Sequence, residues 1–177
     1  MAKSQPQAAA YAEFNKAMAH GLNGNTAKKI GILTSFIGRF PEHNYLPKVY
    51  LELGLSETAQ ENNSQAITYY DRLITEFPKS DLVPQAMLRK GLLLFNTSEI
   101  DASLKTFQDL VNRFPKSASF SQAVSAAKRI YIDQGRLSDY RKWVAQLNLP
   151  QDSEASLEKQ TYDQLNRTLS SLDLEAQ

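Results

Sequence analysis

Two arginines are the residues of this sequence best suited to recognising a negatively charged group. Arg89 and Arg129 both fall in segments with helical patterning. A guanidinium group can hold a carboxylate through two parallel hydrogen bonds, or it can donate to the carbonyl end of a helix. The chemistry that these residues offer is therefore recognition of a partner.

Side chains that commonly catalyse reactions are sparse and scattered. His20 and His43 are the only histidines, and each lies in or beside a predicted turn, where a histidine is usually solvated. The sequence has no cysteine, which excludes disulfides, thiolate metal sites and cysteine nucleophiles. It also lacks hydrolase, zinc-protease, phosphate-loop and dinucleotide motifs. We predict no enzymatic activity, no cofactor and no bound metal. A helical enzyme ranks third, behind the two functions considered below, because no group of catalytic residues supports it.

The charge balance excludes two classes of partner. The 177 residues carry 20 basic and 19 acidic side chains, for a net charge of +1. Binding to nucleic acid needs a broad basic stripe, whereas the basic pairs in this sequence are short and balanced by acids. No apolar run is long enough for a membrane span. We predict a protein or peptide partner, no nucleic acid and no direct membrane span.

A 37-residue repeat dominates the sequence. EFPKS at 76–80 recurs as RFPKS at 113–117 and more loosely as RFPEH at 39–43. Upstream of each copy, apolar residues recur every three to four positions, which is one face of a helix. The aligned apolar columns are Ile30, Ile67 and Leu104; Leu33, Tyr70 and Phe107; Phe36, Leu73 and Leu110; Ile37, Ile74 and Val111; and Phe40, Phe77 and Phe114.

Prolines and serines mark the ends of these helices. The proline after each phenylalanine, at 41, 78 and 115, cannot continue the helical hydrogen-bond ladder. Ser80 or Ser117 is then a candidate cap for the next helix. We expect the three phenylalanine rings to seal the joints between successive units.

Another helix precedes each of these helices and forms the first helix of the pair. Gly54 and Gly91 lie 37 residues apart inside it, and Ala17 holds the same phase in the first unit. Because glycine inside a helix costs about 1 kcal/mol relative to alanine, we predict close approach of a neighbouring helix there. The turns between the paired helices are predicted at 23–25, 61–64 and 96–99, with Asn25, Asn63 or Ser98 as caps.

A fourth, weaker unit and a final helix complete the pattern. Ala123, Val124, Ala127, Ile130 and Tyr131 indicate its first helix, and a shorter second helix ends before Pro150. Trp143, on that second helix, is expected to pack rather than to form an exposed contact. The repeat units are predicted at about 8–43, 44–80, 81–117 and 118–150, with a capping helix at about 152–172.

The second and third units resemble the tetratricopeptide repeat. Its pattern of W-x2-L-G-x2-Y, then Ala, Phe and Pro, is met most closely in the second unit. The matching residues are Tyr50, Leu53, Gly54, Glu57, Ala66, Tyr70 and Pro78, then Met87, Lys90, Gly91, Leu94, Ser103, Phe107 and Pro115. Glu57, Lys90 and Ser103 depart from the pattern. The resemblance implies an all-α, right-handed superhelical stack of about four antiparallel helix hairpins, in one domain over 1–177.

The resemblance also implies a function. Such repeats serve as non-enzymatic scaffolds that bind a peptide or a partner helix in a concave groove lined by the first helix of each unit. The groove candidates are Lys48, Leu51, Glu52, Leu55, Gln85, Leu88, Arg89, Leu92, Phe95, Gln122, Ser125 and Arg129. The chaperone-binding members of the family carry clamp residues at positions that here hold Leu51 and Leu55, then Arg89, then Gln122 and Ala126. The clamp is not present in that register, so that role is disfavoured. The alternative is a structural spacer that self-associates through terminal repeats.

Location follows from the resemblance as well. Units of 37 residues ending in FPKS resemble a bacterial subgroup that includes the periplasmic partner of the Tol–Pal system and outer-membrane assembly lipoproteins. We therefore expect a fragment of a longer bacterial envelope protein, located in the periplasm or associated with the envelope. A full-length protein of this sequence would instead be expected in the cytoplasm, because the first residues resemble no signal peptide.

Overall fold

The chain folds into helices throughout the residues that can be described. The computed structural model describes residues 4–149, 157, 159–163, 166 and 167. Within them the backbone hydrogen bonds define helices and turns, with no strand. The helices are α1 Ser4–Leu22, α2 Thr26–Arg39, α3 Leu46–Ala59, α4 Asn63–Glu76, α5 Val83–Asn96, α6 Ile100–Arg113, α7 Phe120–Asp133 and α8 Leu137–Gln146. The predicted all-α solenoid of helix hairpins is confirmed.

The chain divides into two compact units, each larger than one repeat: an N-terminal compact unit, Met1–Thr106, and a C-terminal compact unit, Phe107–Gln177. In the first, α1 packs on α2, α2 on α3, α3 on α4 and α4 on α5. In the second, α7 packs on α8. Within the described ranges, no helix is both long enough and apolar enough to cross a bilayer.

The turn inside each helix pair repeats one backbone geometry. Gly24, Glu61, Ser98 and Gly135 are spaced 37 residues apart, and all have positive φ, from 60° at Glu61 to 75° at Gly24. The next residue donates its N–H to a carbonyl five positions back, at 2.8–2.9 Å in all four turns. This is the Schellman closure of a helix end, which needs a left-handed residue. Glu61 and Ser98 adopt that conformation without being glycine.

The joint from one pair to the next also repeats. α2, α4 and α6 end one residue before Phe40, Phe77 and Phe114, as the prolines predict. Each phenylalanine N–H donates to the carbonyl four residues back, at 2.9–3.1 Å. The three rings are half-buried rather than fully enclosed. They therefore cover the joints without sealing them as completely as predicted.

Small residues at the predicted phase allow helices to approach closely. Ala17 and Gly54 are buried, and a Cβ placed on Gly54 would overlap the ring of Tyr70 on α4. The Ser103 hydroxyl donates to the Gly91 carbonyl at 2.8 Å. That bond explains why a buried serine replaces the alanine of the repeat pattern, because a buried hydroxyl needs an acceptor.

The predicted capping residues are only partly correct. The Asn25 side chain accepts the Lys28 N–H at 3.2 Å and caps α2 as expected. Asn63 is instead the first residue of α4, and Ser98 is the left-handed turn residue. Ser80 accepts the N–H of Leu82, which stabilises the turn before α5 rather than the helix itself.

Ser117 does not cap α7. Its hydroxyl oxygen is buried and makes no hydrogen bond within the described residues, and α7 begins only at Phe120. Ser117 has the same phase in the repeat as Ser80, but its hydroxyl does not form the bond that the hydroxyl of Ser80 forms.

The C-terminal compact unit has an aromatic core. Trp143 is 6% exposed, and its ring centroid lies 6.0 Å from that of Tyr131 and 6.4 Å from that of Tyr140. The prediction that Trp143 packs is confirmed, although the described contacts are with α7 and α8. Of the capping helix predicted at 152–172, only 157, 159–163, 166 and 167 are described; they are helical, and the rest lies outside the described residues.

Candidate protein-docking surface

The predicted residues of α3 divide between surface and core. Lys48 is exposed, and Glu52 and Leu55 are half-buried. Leu51 is only 6% exposed and belongs to the core of the first unit. A partner can therefore reach Lys48, Glu52 and Leu55 but not the Leu51 side chain.

The predicted residues of α5 show the same division. Arg89 is exposed, Leu92 is 37% exposed, and Gln85 and Phe95 are half-buried. Leu88 is 5% exposed and is a core residue. Both core leucines occupy the same repeat position, 37 residues apart, so this position faces inward in both units.

The remaining predicted residues belong to the C-terminal compact unit. Gln122, Ser125 and Arg129 on α7 are all exposed. The Arg129 guanidinium lies 3.6 Å from the Asp133 carboxylate one turn later. Ser125 and Arg129 line an open cleft of about 510 Å³ together with Asp163 and Arg167. The groove predicted over α3, α5 and α7 together stays a prediction.

The predicted groove residues omit an apolar stripe on α1. Tyr11, Phe14, Met18 and Leu22 lie 37 residues before Lys48, Leu51, Leu55 and Ala59. Tyr11 is 55% exposed and Leu22 is 89% exposed, while Phe14 and Met18 are half-buried. Extending the 37-residue register one unit towards the N-terminus would have found these residues.

A cleft separates this stripe from α3. It has a volume of about 440 Å³, and Met18 and Leu22 line one side while Leu55 and Ala59 line the other. We call Tyr11, Phe14, Met18, Leu22, Lys48, Glu52, Leu55 and Ala59 the α1/α3 face.

One ion pair forms part of the cleft wall. The Lys29 ammonium on α2 lies 2.6 Å from the Glu52 carboxylate on α3. The Lys29 stem crosses Gly21, where an added Cβ would lie 2.9 Å from the lysine Cδ. Glu52, predicted as a groove residue, is therefore already held by a neighbouring helix.

Aromatic rings form the other end of the α1/α3 face. Tyr45, just before α3, lies 5.2 Å from Phe14 and 6.2 Å from Tyr11 between ring centroids. The Lys48 ammonium lies 5.2 Å from the centre of the Tyr45 ring, a cation–π distance. The rings fix the position of this lysine at the surface.

The charges near this face leave two cations without an ion pair. Glu52 pairs with Lys29, and Asp71 pairs with Lys90 at 2.6 Å. Lys48 and Arg89 have no ion pair with any described residue. Arg89 does act on Tyr70: burial raises the pKa of Tyr70, whereas a hydrogen bond with Thr58 and the Arg89 charge oppose that rise.

Metal-binding clusters are missing from the part of the chain that is described. No group of three or more histidine and carboxylate side chains comes together there. The two histidines differ in setting. His20 lies in the last turn of α1, and His43 accepts the Tyr45 N–H at its Nδ1, at 3.1 Å.

Comparisons with known proteins agree with the repeat. Residues 48–80 and 85–117 match the family model described as the tetratricopeptide repeat. A comparison with curated protein sequences gives no match. The two matched segments each contain most of a first helix, a Schellman turn and a second helix.

Solved structures share the fold at low sequence identity. The chain is similar to a structure titled "Crystal structure of MamA", with a TM-score of 0.64 and 16% identity over 91% of this chain and 84% of that one. A MamA RS-1 double mutant gives 0.62, with 14% identity over 93% and 96%.

A third similar structure is a Podosopora anserina putative kinesin light chain with nearly identical TPR-like repeats. Its TM-score is 0.61, with 12% identity over 94% of this chain and 91% of that one. At these identities the likeness concerns the fold alone. Residues 48–80 and 85–117 match the tetratricopeptide repeat, and the described helices form an α-solenoid of helix hairpins.

Proposed function

We propose that the protein is a non-enzymatic scaffold that binds a peptide or helix of a partner protein on the α1/α3 face. The observation that carries this proposal is the exposure of Tyr11 and Leu22, which are 55% and 89% exposed. Burying large apolar side chains contributes about 25 cal/mol per Å², so leaving them in water forgoes stability. Exposed apolar residues beside a cleft are typical of interaction sites.

The α1/α3 face and the neighbouring cation Arg89 on α5 together favour an acidic segment. Lys48 and Arg89 are exposed and lack an ion pair with any described residue, whereas the nearby acids Glu52 and Asp71 are each paired. A partner with apolar side chains for the cleft and carboxylates for the two cations would complement both features. Tetratricopeptide repeats at 48–80 and 85–117 support a docking role of this kind.

Peptide selection followed by mutation tests the proposal. Peptides selected from a random displayed library against the whole chain are measured for affinity by fluorescence anisotropy. Leu22→Gln is expected to weaken binding about tenfold because an apolar contact is lost. Arg89→Glu is expected to weaken it by a similar factor, and less at high salt because the interaction is screened.

Lys79→Glu is the matched control. Lys79 is an exposed cation in the turn before α5 and belongs neither to the α1/α3 face nor to its cleft. Its reversal changes the net charge as much as Arg89→Glu does. Thermal unfolding followed by circular dichroism checks that all three variants stay folded. If every selected peptide binds the Leu22→Gln and Arg89→Glu variants as well as the wild type, the α1/α3 face is not the binding surface.

A second candidate function is a spacer that self-associates. Gly31 and Gly38 lie inside α2, two turns apart, and an added Cβ at either would meet nothing within 4 Å among the described residues. Each glycine costs the helix about 1 kcal/mol without a contact in the described structure to offset it. Replacing both with leucine should leave a monomer folded and at least as stable, because leucine is a better helix former, but disrupt an assembly, which light scattering across concentrations would detect.

The envelope location rests on the resemblance of the 37-residue units ending in FPKS. We keep it as a proposal. Fractionation of cells that express the full-length gene would separate a periplasmic product from a cytoplasmic one.

A further inference from the structure

The first repeat differs from the later repeats at a position where its two helices pack. Lys29 holds the repeat position of Ala66 and Ser103, and both of those residues are completely buried. Gly21 holds the repeat position of Thr58. The lysine stem crosses this glycine, since a Cβ added at Gly21 would lie 2.9 Å from the lysine Cδ. In the first repeat the small residue is therefore on α1 and the long one on α2, which reverses the arrangement of Thr58 and Ala66.

This exchange places a mostly buried ammonium group in the wall of the cleft between α1 and α3. The Lys29 side chain is 12% exposed, the Glu52 side chain is 28% exposed, and the ammonium lies 2.6 Å from the Glu52 Oε2. An ammonium has three N–H donors and a carboxylate has two acceptor oxygens. Among the described residues, Glu52 Oε2 is the one acceptor of this ammonium, and Glu52 Oε1 accepts no hydrogen bond. The pair therefore keeps both donors and an acceptor for a ligand.

Stability alone does not account for the ion pair. Burying two charges costs desolvation free energy, and their mutual attraction often recovers no more than apolar packing would. Ala66 packs at the same repeat position without any charge. A role in recognition explains why the first repeat has a lysine there.

The chemistry of the pair favours a neutral ligand group that has its own donor and acceptor. Because the two charges cancel, a carboxylate or an ammonium entering the cleft would lose hydration without gaining a net counter-charge. A carboxamide loses less hydration, and its carbonyl oxygen and its N–H donors match the ammonium and the carboxylate. Met18, Leu22 and Leu55 line the same cleft and suit the apolar part of such a side chain.

We propose that the cleft of the α1/α3 face is a specificity pocket in which Lys29 and Glu52 bind a glutamine or asparagine side chain of the partner. This inference rests on the proposed function, because it names the group that the partner places in the cleft. A side chain fits better than a peptide main chain: Lys29 is only 12% exposed, so a group that reaches it must protrude from the partner. The cleft volume of about 440 Å³ is sufficient for one such side chain.

Peptides selected from a random displayed library against the whole chain test this inference. Those that lose affinity for the Leu22→Gln or Arg89→Glu variant are expected to carry a glutamine or asparagine beside an apolar residue. Replacing that carboxamide residue with leucine should weaken binding to the wild type about tenfold, because the buried donor and acceptor are left without a ligand group. Fluorescence anisotropy measures the affinity of each peptide and of its leucine form.

Two variants disturb the ammonium in different ways. Lys29→Met removes the donors but keeps an unbranched side chain over Gly21, and the preference for the carboxamide peptide over its leucine form should fall to about twofold or less. Gly21→Ala leaves the net charge unchanged, but its methyl displaces the flexible lysine stem, so the preference should fall there too. Lys28→Met is the matched control, because Lys28 is exposed on the same helix and is not among the residues that line the cleft. For the control the preference should equal that of the wild type.

The outcomes separate this inference from the proposed function. Circular dichroism first shows which of the variants are folded. Selected peptides that lack glutamine and asparagine, or a carboxamide preference that is equal in the wild type and in a folded Lys29→Met or Gly21→Ala protein, would overturn the inference while the proposed function stands. Peptides that bind the Leu22→Gln and Arg89→Glu variants as well as the wild type, or a library that yields no binding peptide, would overturn both.

Discussion

Gly54 is constrained by a specific neighbour, whereas Gly38 is not. An alanine methyl at 54 would overlap the Tyr70 ring, which is itself completely buried and cannot move aside. We expect Gly54→Ala to destabilise the protein by about 1–3 kcal/mol through overpacking. Gly38→Ala should stabilise it by about 1 kcal/mol, because the helix gains a better former and nothing is displaced. Urea unfolding of the two variants should therefore shift in opposite directions.

The left-handed turn residues make a second prediction. Gly135 has φ 66° and Ser98 has φ 64° at equivalent repeat positions. Gly135→Ala should cost about 1 kcal/mol because an L-residue is strained there. Ser98→Gly should relieve similar strain and raise the melting temperature. A destabilised Ser98→Gly protein would mean that the serine makes a compensating contact.

Sequence predictions about single residues hold where a position repeats and fail where a side chain needs a local partner. The phase of Gly54 and Ala17 predicted close packing, and the structure confirms it. Ser117 shares its phase with Ser80, yet only Ser80 makes the turn bond. Repetition predicts the backbone environment, but it does not determine which side-chain rotamer reaches an acceptor.

At the scale of elements, Tyr50 connects α3 to α4. Its hydroxyl bonds the Glu76 carboxylate at 3.2 Å, and the Arg72 guanidinium lies 4.6 Å from its ring centre. Burial is the main cause that raises the pKa of Tyr50 to about 12; the Arg72 charge opposes the rise and Glu76 adds to it.

This raised pKa predicts an alkaline weakness. An unfolded tyrosine ionises near pH 10, whereas Tyr50 in the folded protein keeps its proton until about pH 12. The stabilisation is complete below pH 10 and is lost as the pH rises through that window. Urea unfolding at about pH 9, 10 and 11 should show falling stability. Tyr50→Phe should reduce the slope but not remove it, because burial also raises the pKa of Tyr70 and Tyr131.

The α7–α8 pair depends on Trp143. Truncating this buried indole to alanine is expected to cost about 3–5 kcal/mol, because the cavity between Tyr131 and Tyr140 cannot close completely. Trp143→Phe should cost less: its ring still fills much of the space, and the indole N–H has no hydrogen-bond partner among the described residues. A melt unchanged by the alanine substitution would show that this aromatic cluster does not hold the pair together.

Helix boundaries were predictable because the signals that set them are local. Prolines after Phe40, Phe77 and Phe114 end the second helices where predicted. The inner turns at 23–25 and 97–99 fall within the predicted segments, whereas the turn at 60–62 begins one residue before the predicted 61–64 and ends two residues earlier. What the sequence did not reveal is that the inner turns share one left-handed position, because glycine occupies only two of the four places. Because Glu61 and Ser98 are not glycine, a prediction that relies on glycine alone does not find the left-handed geometry at these two positions.

At the scale of the whole molecule, the candidate surface was harder to predict than the fold. Lys48, Arg89 and Leu92 are accessible as expected, but Leu51 and Leu88 are in the core. The sequence does not single out the exposed Leu22, because the first repeat matches the repeat pattern poorly. Helix packing buries the same positions in every repeat. Whether any other position is exposed depends on which neighbouring helices cover it, and the sequence of a single repeat does not encode those neighbours.

The recurrence of both kinds of junction has a consequence for how such a chain can change length. The bonds that close the inner turn at 61 recur at 98, and those that end α2 at Phe40 recur at Phe77. A segment of 37 residues cut at equivalent points would thus rejoin backbone to backbone with every hydrogen bond at the splice already provided for. Gain or loss of a whole 37-residue repeat therefore requires no new loop. An insertion of any other length would shift all later residues out of the repeat register.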